Sequence, residues 1–162
     1  MQTIPREQLY IALFAFLSKT PGFSSYYRRF VPLAQIGGAK MPALMMRQTN
    51  EQRHVNAPGQ PAKYTVSVDL LVLCQTPTAT GDSVPASTLN PLVDAVEAMF
   101  DPQTGGETIW TPLGAAMADN VQTLGLSNVS RVWIEGNIEF EEAVQGSTDI
   151  SAALIPLHIV LT

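Results

Sequence analysis

Residues able to carry out chemistry are few in this 162-residue chain and lie far apart. It contains two histidines, His54 and His158, and a single cysteine, Cys74. A serine-based catalytic triad needs a nucleophile, a base and an orienting acid, and the chain has no Gly-x-Ser-x-Gly elbow. We predict that His54 lies in a solvated loop, that His158 is half-buried in a sheet, and that Cys74 is an inert buried thiol. These residues do not predict an enzyme.

Metal and phosphate sites are also poorly represented in the sequence. One cysteine cannot make a Cys-rich zinc site, and two histidines leave little for a His-based centre. The segment Gly37-Gly38-Ala39-Lys40 has glycines near a lysine, but a phosphate loop needs Gly directly before Lys and Ser or Thr after it. We therefore predict a turn here, and a protein without a cofactor or bound metal.

Two charged clusters remain as candidates for a functional surface. Arg28 and Arg29 are flanked by aromatic residues, an arrangement that suits phosphate binding or an ion-paired contact with an acidic neighbour. A second, acidic cluster suits acid–base chemistry, a divalent cation, a solvated face or a contact surface. Within it, Glu139 and Glu141 alternate around Phe140, as expected of a strand with one solvated face. We predict an assembly interface formed by Arg28, Arg29, Arg47, Arg53, Glu135, Glu139, Glu141 and Glu142.

The charge is distributed unevenly along the chain. Residues 1–63 contain eight basic and two acidic residues, a net +6, whereas residues 64–162 contain one basic and twelve acidic residues, a net −11. The total of −5 argues against general nucleic-acid binding, which needs a basic field. Two interpretations stay open: two solvated faces of opposite sign, or copies that stack with the basic part of one against the acidic part of the next.

Two helices are predicted from the spacing of apolar residues. Thr3 is the expected cap of the first, with Pro5 in its first turn and an apolar face over Gln8–Leu17. Its apolar run of nine residues is shorter than the about 20 that span a bilayer, so we predict a core helix in a protein made and kept in a cytosol. The second helix starts after Thr88 as its cap and ends at Asp101-Pro102.

Strands fill most of the remaining chain. Tyr64–Cys74 alternates clearly, and residues 155, 157, 159 and 161 face one way in the last strand, Ala152–Leu161. Pro156 predicts an edge position or a bulge in that strand. Gly136 predicts a bend or bulge between two earlier strands, Val129–Ile134 and Asn137–Glu142. The order predicts one α+β domain over 1–162, with a mixed or antiparallel sheet and helices on one face. The other predicted strands are Pro42–Gln48, Val129–Ile134 and Asn137–Glu142, and the predicted loops are 49–62, 75–88 and 101–114.

This order of elements resembles the tail terminator, or tail completion, proteins of long-tailed and contractile-tailed bacteriophages. The resemblance is one of pattern along most of the chain, without a catalytic signature. Its elements are the Gln8–Leu17 helix, Ser25-Tyr-Tyr-Arg-Arg-Phe30, Met41-Pro-Ala-Leu-Met-Met-Arg47, Lys63–Cys74, Leu89-Asn-Pro-Leu92, Phe100-Asp-Pro102, Thr123-Leu-Gly125, Val129–Gly136, Ile138-Glu-Phe140 and Ala152–Leu157.

The resemblance implies a structural virion protein. Such proteins form a hexameric ring on the last ring of the tail tube, stop tube growth and present the docking surface for the head connector. The implied partners are further copies of the chain, the tail tube protein and the neck proteins, with DNA passing through the lumen unbound. Loops 49–62 and 75–88 would reach the lumen or a neighbour. Two alternatives remain: another head–tail neck ring, or a small-molecule-binding α+β domain.

Overall fold

A computed structural model describes residues 5–75, 86–100, 123–142 and 149–162, and these form a sheet with two helices. The fold class is α+β, as predicted. Two short 3-10 helices also occur, Leu33–Gln35 and Gly38–Lys40, and the second lies in the segment predicted as a glycine-rich turn. The helices and strands are, in chain order, α1 (Arg6–Leu17), β1 (Ser25–Tyr27), β2 (Ala43–His54), β3 (Lys63–Gln75), α2 (Ala86–Phe100), β4 (Val129–Ile134), β5 (Glu139–Glu141) and β6 (Ile150–Leu161).

The sheet is mixed, and its strand order differs from the order in the chain. The order is β1-β2-β3-β6-β4, with β5 also paired to β6. β1 is parallel to β2, and every other pair is antiparallel. Because β6 lies between β3 and β4, the early strands β1 and β2 form one edge of the sheet, and the later strands β4 and β5 form the other.

Both helices pack on the same face of the sheet, as predicted. Leu13 of α1 and Leu89 and Val96 of α2 are fully buried there, and the rings of Phe16 and Phe100 meet at 5.3 Å. The sheet contributes the other side of this core, and alternate residues of β3 and β6 belong to it, so the alternation predicted for these two strands is confirmed. The sheet residues of the core are Leu44, Met46, Val66, Val68, Leu70, Val72, Cys74, Val129, Val132, Ala153, Ile155, Leu157 and Ile159.

The prediction of a loop over 49–62 is wrong for its first six residues. β2 continues to His54, and its second half pairs with β3 from Asn50 opposite Ser67 to His54 opposite Lys63. A β-bulge between Gln48 and Asn50 shifts the register. Every residue of β2 from Arg47 onwards is exposed, so no apolar alternation marks this half of the strand as β structure. The connecting loop covers 55–62.

β6 is not an edge strand, so the edge position predicted for Pro156 is wrong. Pro156 sits in β6, between β3 on one side and β4 and β5 on the other. Its carbonyl accepts a hydrogen bond from the Glu135 N–H at 3.2 Å, so its backbone faces the bend between β4 and β5, where a ladder N–H is not needed. Gly136 forms this bend at φ +117°, and a Cβ there would lie 3.1 Å from Pro156 Cγ. The predicted bend at Gly136 is confirmed.

The predicted helix starts and loop boundaries need smaller corrections. α1 begins after Pro5, and Thr3 lies outside the described residues. α2 already begins at Ala86, so Thr88 lies inside the first turn and is not the cap. The predicted strand over Asn137–Glu142 is shorter, Glu139–Glu141. Most of the predicted loop 75–88 and all of 101–114 fall outside the described residues.

Candidate assembly surface

The eight residues predicted to form an interface divide evenly between the two edges of the sheet. Arg28 and Arg29 directly follow β1, and Arg47 and Arg53 lie in β2. We call this the basic edge. The four glutamates lie on the opposite side of the sheet. The acidic edge consists of Glu135 after β4, Glu139 and Glu141 in β5, and Glu142 after β5.

Two of the four arginines on the basic edge are ion-paired within the chain. Arg28 donates to both carboxylate oxygens of Glu7 in α1, at 2.7 and 3.3 Å. Arg47 donates to Asp69 Oδ2 at 2.8 Å from the neighbouring strand. Its guanidinium also lies 4.4 Å from the centre of the Phe30 ring. These two arginines therefore stabilise the basic edge through contacts within the chain.

The other two arginines of the basic edge, Arg29 and Arg53, point to solvent. Both are exposed, and neither forms an ion pair with any residue in the described part of the chain. A nearby pair, Arg6 and Glu51, meets at 2.7 Å across α1 and β2. The uncompensated positive charge of this edge is therefore concentrated on Arg29 and Arg53.

On the acidic edge, Glu135 is held by its neighbour in β4. Trp133 donates its Nε1–H to Glu135 Oε2 at 2.6 Å, and Arg131 lies 5.2 Å from the Trp133 ring centre. Glu139 and Glu141 are exposed, as predicted, but Phe140 between them is also 53% exposed. The prediction that this strand has only one solvated face is therefore wrong.

The Glu7–Arg28 pair predicts a pH-dependent contribution to stability. The hydrogen bond from Arg28 lowers the pKa of Glu7. A lowered carboxylate pKa stabilises the fold above the unfolded-state pKa, about 4.3, and this contribution is lost as pH falls through the folded-state value. Glu7→Gln should therefore lower the melting temperature slightly at pH 7, and the difference from wild type should shrink towards pH 3. The pair is solvent-exposed, so the effect should also weaken in high salt.

Glu139→Gln is the control for that experiment, because Glu139 has no ion-pair partner among the described residues. Its melting temperature should follow that of wild type across the same pH range. A Glu7→Gln difference that is as large at pH 3 as at pH 7 would contradict the ion-pair explanation.

His158, one of the candidate catalytic residues, packs against side chains of the neighbouring strands. His158 is half-buried, as predicted, and its ring stacks on Trp133 at 5.9 Å. Its Nδ1 lies 3.4 Å from Ser67 Oγ, but the carboxylate of Asp69, two residues further along β3, is bonded to Arg47.

The other candidates for chemistry are Cys74, His54, a metal site and a small cleft. Cys74 is fully buried, as predicted, and burial raises the pKa of its thiol. His54 is exposed, but it ends β2 and does not lie in a loop. No set of three metal-ligating side chains converges within residues 5–75, 86–100, 123–142 and 149–162. A small cleft against α1 is lined by Tyr10 and Tyr64, and its two charged groups, Arg6 and Glu51, are bonded to each other.

Sequence reasoning missed the residues that hold the basic edge in place. Glu7 and Asp69 are each more than 20 positions from the arginine that they bind. Helical or local spacing rules do not detect such pairs. The Arg47–Asp69 pair follows only from the register of β2 against β3, where these two residues are directly opposite.

Comparisons with known proteins give matches by structure but none by sequence. No protein family matches the sequence, and no curated protein matches it. Among solved structures, the chain is similar to one from a structure described as the virion of a native gene transfer agent (GTA) particle. The TM-score is 0.42 at 10% sequence identity, over 92% of this chain and 83% of that chain. Neither helix in the part of the chain that the structure describes is both long enough and apolar enough to cross a membrane.

Proposed function

We propose that this chain is a non-enzymatic structural protein of a tailed-phage virion, a tail terminator. Six copies would form a ring on the last ring of the tail tube, end its polymerisation and offer a docking surface to the head connector. The sequence pattern resembles that family. The observation that carries the proposal is the placement of four arginines and four glutamates on opposite edges of one sheet.

Opposite edges of opposite charge favour head-to-tail assembly. A contact between two different surfaces of identical subunits closes into a ring when the rotation between copies allows it. Pairing of two basic edges, or of two acidic edges, is opposed by repulsion between like charges. Arg29 and Arg53 form no ion pair within the described residues, so their positive charge is available for a contact between copies. On the other edge, Glu139 and Glu142 are exposed.

The proposed partners and location follow from the ring. Below it lies the tail tube protein and above it the connector or another neck protein, in a virion assembled in the host cytoplasm. An acidic lumen would let DNA pass without binding, because like charges repel along the channel. A head–tail neck ring would use the same kind of interface, so the experiment has to separate the two.

The test is growth of the tail tube in the presence of this protein. Purified tube protein is allowed to polymerise with increasing amounts of the chain, and tube lengths are measured by electron microscopy. A terminator should shorten the tubes as its ratio to tube protein rises, with the protein found at one tube end. Hexamers that leave tube length unchanged would reject the terminator role and favour a neck ring.

A further inference from the structure

The outer side of β2 carries a long strand edge with no partner strand. β1 pairs with β2 only from Ala43 to Met45, whereas β3 pairs with its other side as far as His54. From Met46 to His54, therefore, the outer side of β2 faces no other strand within the described residues. We call this stretch the open edge. Its backbone N–H and C=O groups are available to pair with a strand from another chain.

At the other edge of the sheet, β5 is also paired on one side only. Glu139–Glu141 pairs with Leu154–Ala152 of β6, and no second partner strand lies beside it in the described part of the chain. β2, β3, β6 and β5 alternate in direction, because each successive pair is antiparallel. β2 and β5 therefore run in opposite directions, so copies repeated side by side would bring them together as antiparallel strands.

The side chains on these two edges also lie on matching faces. Arg47 is opposite Asp69 in β3, and Leu71, two residues further along, is opposite Leu154, which is itself opposite Glu139. Directly opposite residues, and residues two apart in one strand, share a face of a sheet. Arg47 and Glu139 thus lie on the same face, and in a sheet continued from copy to copy they become cross-strand neighbours of opposite charge.

We propose that the open edge of β2 in one copy pairs with β5 of the next copy as antiparallel strands, so that the sheets of adjacent subunits are continuous. This inference rests on the proposed function, since it specifies how the copies in the ring are joined. The partner is a second copy of the chain, selected by the charge of its edge. Two open edges would instead place Arg53, which has no ion-pair partner among the described residues, at one interface in both copies, and these like charges would repel.

Disulfide trapping tests this contact. Residues facing each other across antiparallel strands have Cα atoms about 4.5–5.5 Å apart, within the range of a disulfide. Glu139→Cys is combined in turn with Arg47→Cys, Gln52→Cys and His54→Cys, which share its face of the sheet. The matched control is Glu139→Cys with Arg53→Cys, which lies opposite Tyr64 on the other face. The native Cys74 is fully buried.

Oxidation is carried out with and without tail tube protein, and the masses of unoxidised samples are measured in parallel. In at least one of the three same-face pairs, most of the protein should move to a reducible ladder from dimer to hexamer, and the control should stay monomeric on the gel. If hexamers form but none of the three pairs gives the ladder, strand pairing is rejected and the proposed function stands. If no oligomer forms in any condition, the proposed function fails and the inference fails with it.

Discussion

Replacement of Leu13 by Ala should lower the free energy of unfolding by about 2–5 kcal/mol. Leu13 is fully buried between α1 and the sheet, in the cluster that contains both helices. Truncation removes its buried methyl groups and leaves a cavity that the surrounding side chains only partly fill. Urea denaturation followed by circular dichroism measures the change, as a lower midpoint with an unchanged slope.

Ile11→Ala is the matched control for that prediction. It lies in the same helix, two residues away, and its side chain is 54% exposed. The change should alter stability by less than about 0.5 kcal/mol, since Ala also has a higher helix propensity than Ile. Equal losses for the two variants would contradict the packing of α1 on the sheet as described.

Charge reversal on either edge alone should abolish assembly. Mixing two variants that are reversed on opposite edges should restore it. The first variant carries Arg29→Glu and Arg53→Glu, and the second carries Glu139→Arg and Glu142→Arg. Each should remain monomeric where wild type forms rings, because each presents edges of like charge. A mixture pairs every altered edge with a complementary one, so it should form rings that contain three copies of each variant.

Native mass spectrometry distinguishes these outcomes, because it reports the composition of each ring. Arg29 and Arg53 are chosen because their reversal breaks no ion pair among the described residues. Lys19→Glu, an exposed change just after α1 at a residue that belongs to neither the basic nor the acidic edge, is the control for added negative charge and should assemble like wild type. Rings from either double variant alone would show that these charges do not direct assembly.

The parts of the fold that were predictable are those with one buried face. β3 and β6 bury alternate residues against the helices, and α2 buries Leu89, Leu92 and Val96 at helical spacing. The second half of β2 exposes every side chain, so its strand structure comes from backbone pairing with β3 and leaves no pattern in the sequence. The edge position predicted for Pro156 was wrong because Pro156 lies where β6 changes its partner from β4 to β5. No strand pairing needs the missing N–H at that point.

The candidate surface was predictable in its composition but not in its arrangement. The separation of basic from acidic residues along the chain is visible in the sequence. Whether the basic and acidic residues lie on two opposite edges of the sheet depends on the position of β6 between β3 and β4. Residue periodicity does not predict this strand order. Nor does sequence spacing show that Arg28 is paired with Glu7, whereas Arg29 remains available.

The most direct test of ring assembly through the two edges is the mass of the purified protein in solution. Light scattering is measured at low and high salt, with and without tail tube protein. We expect six times the mass of one 17.5 kDa chain, either spontaneously or once tube protein is added, with a loss of mass at high salt because the contact is partly electrostatic. A monomer that responds neither to tube protein nor to salt would contradict ring assembly.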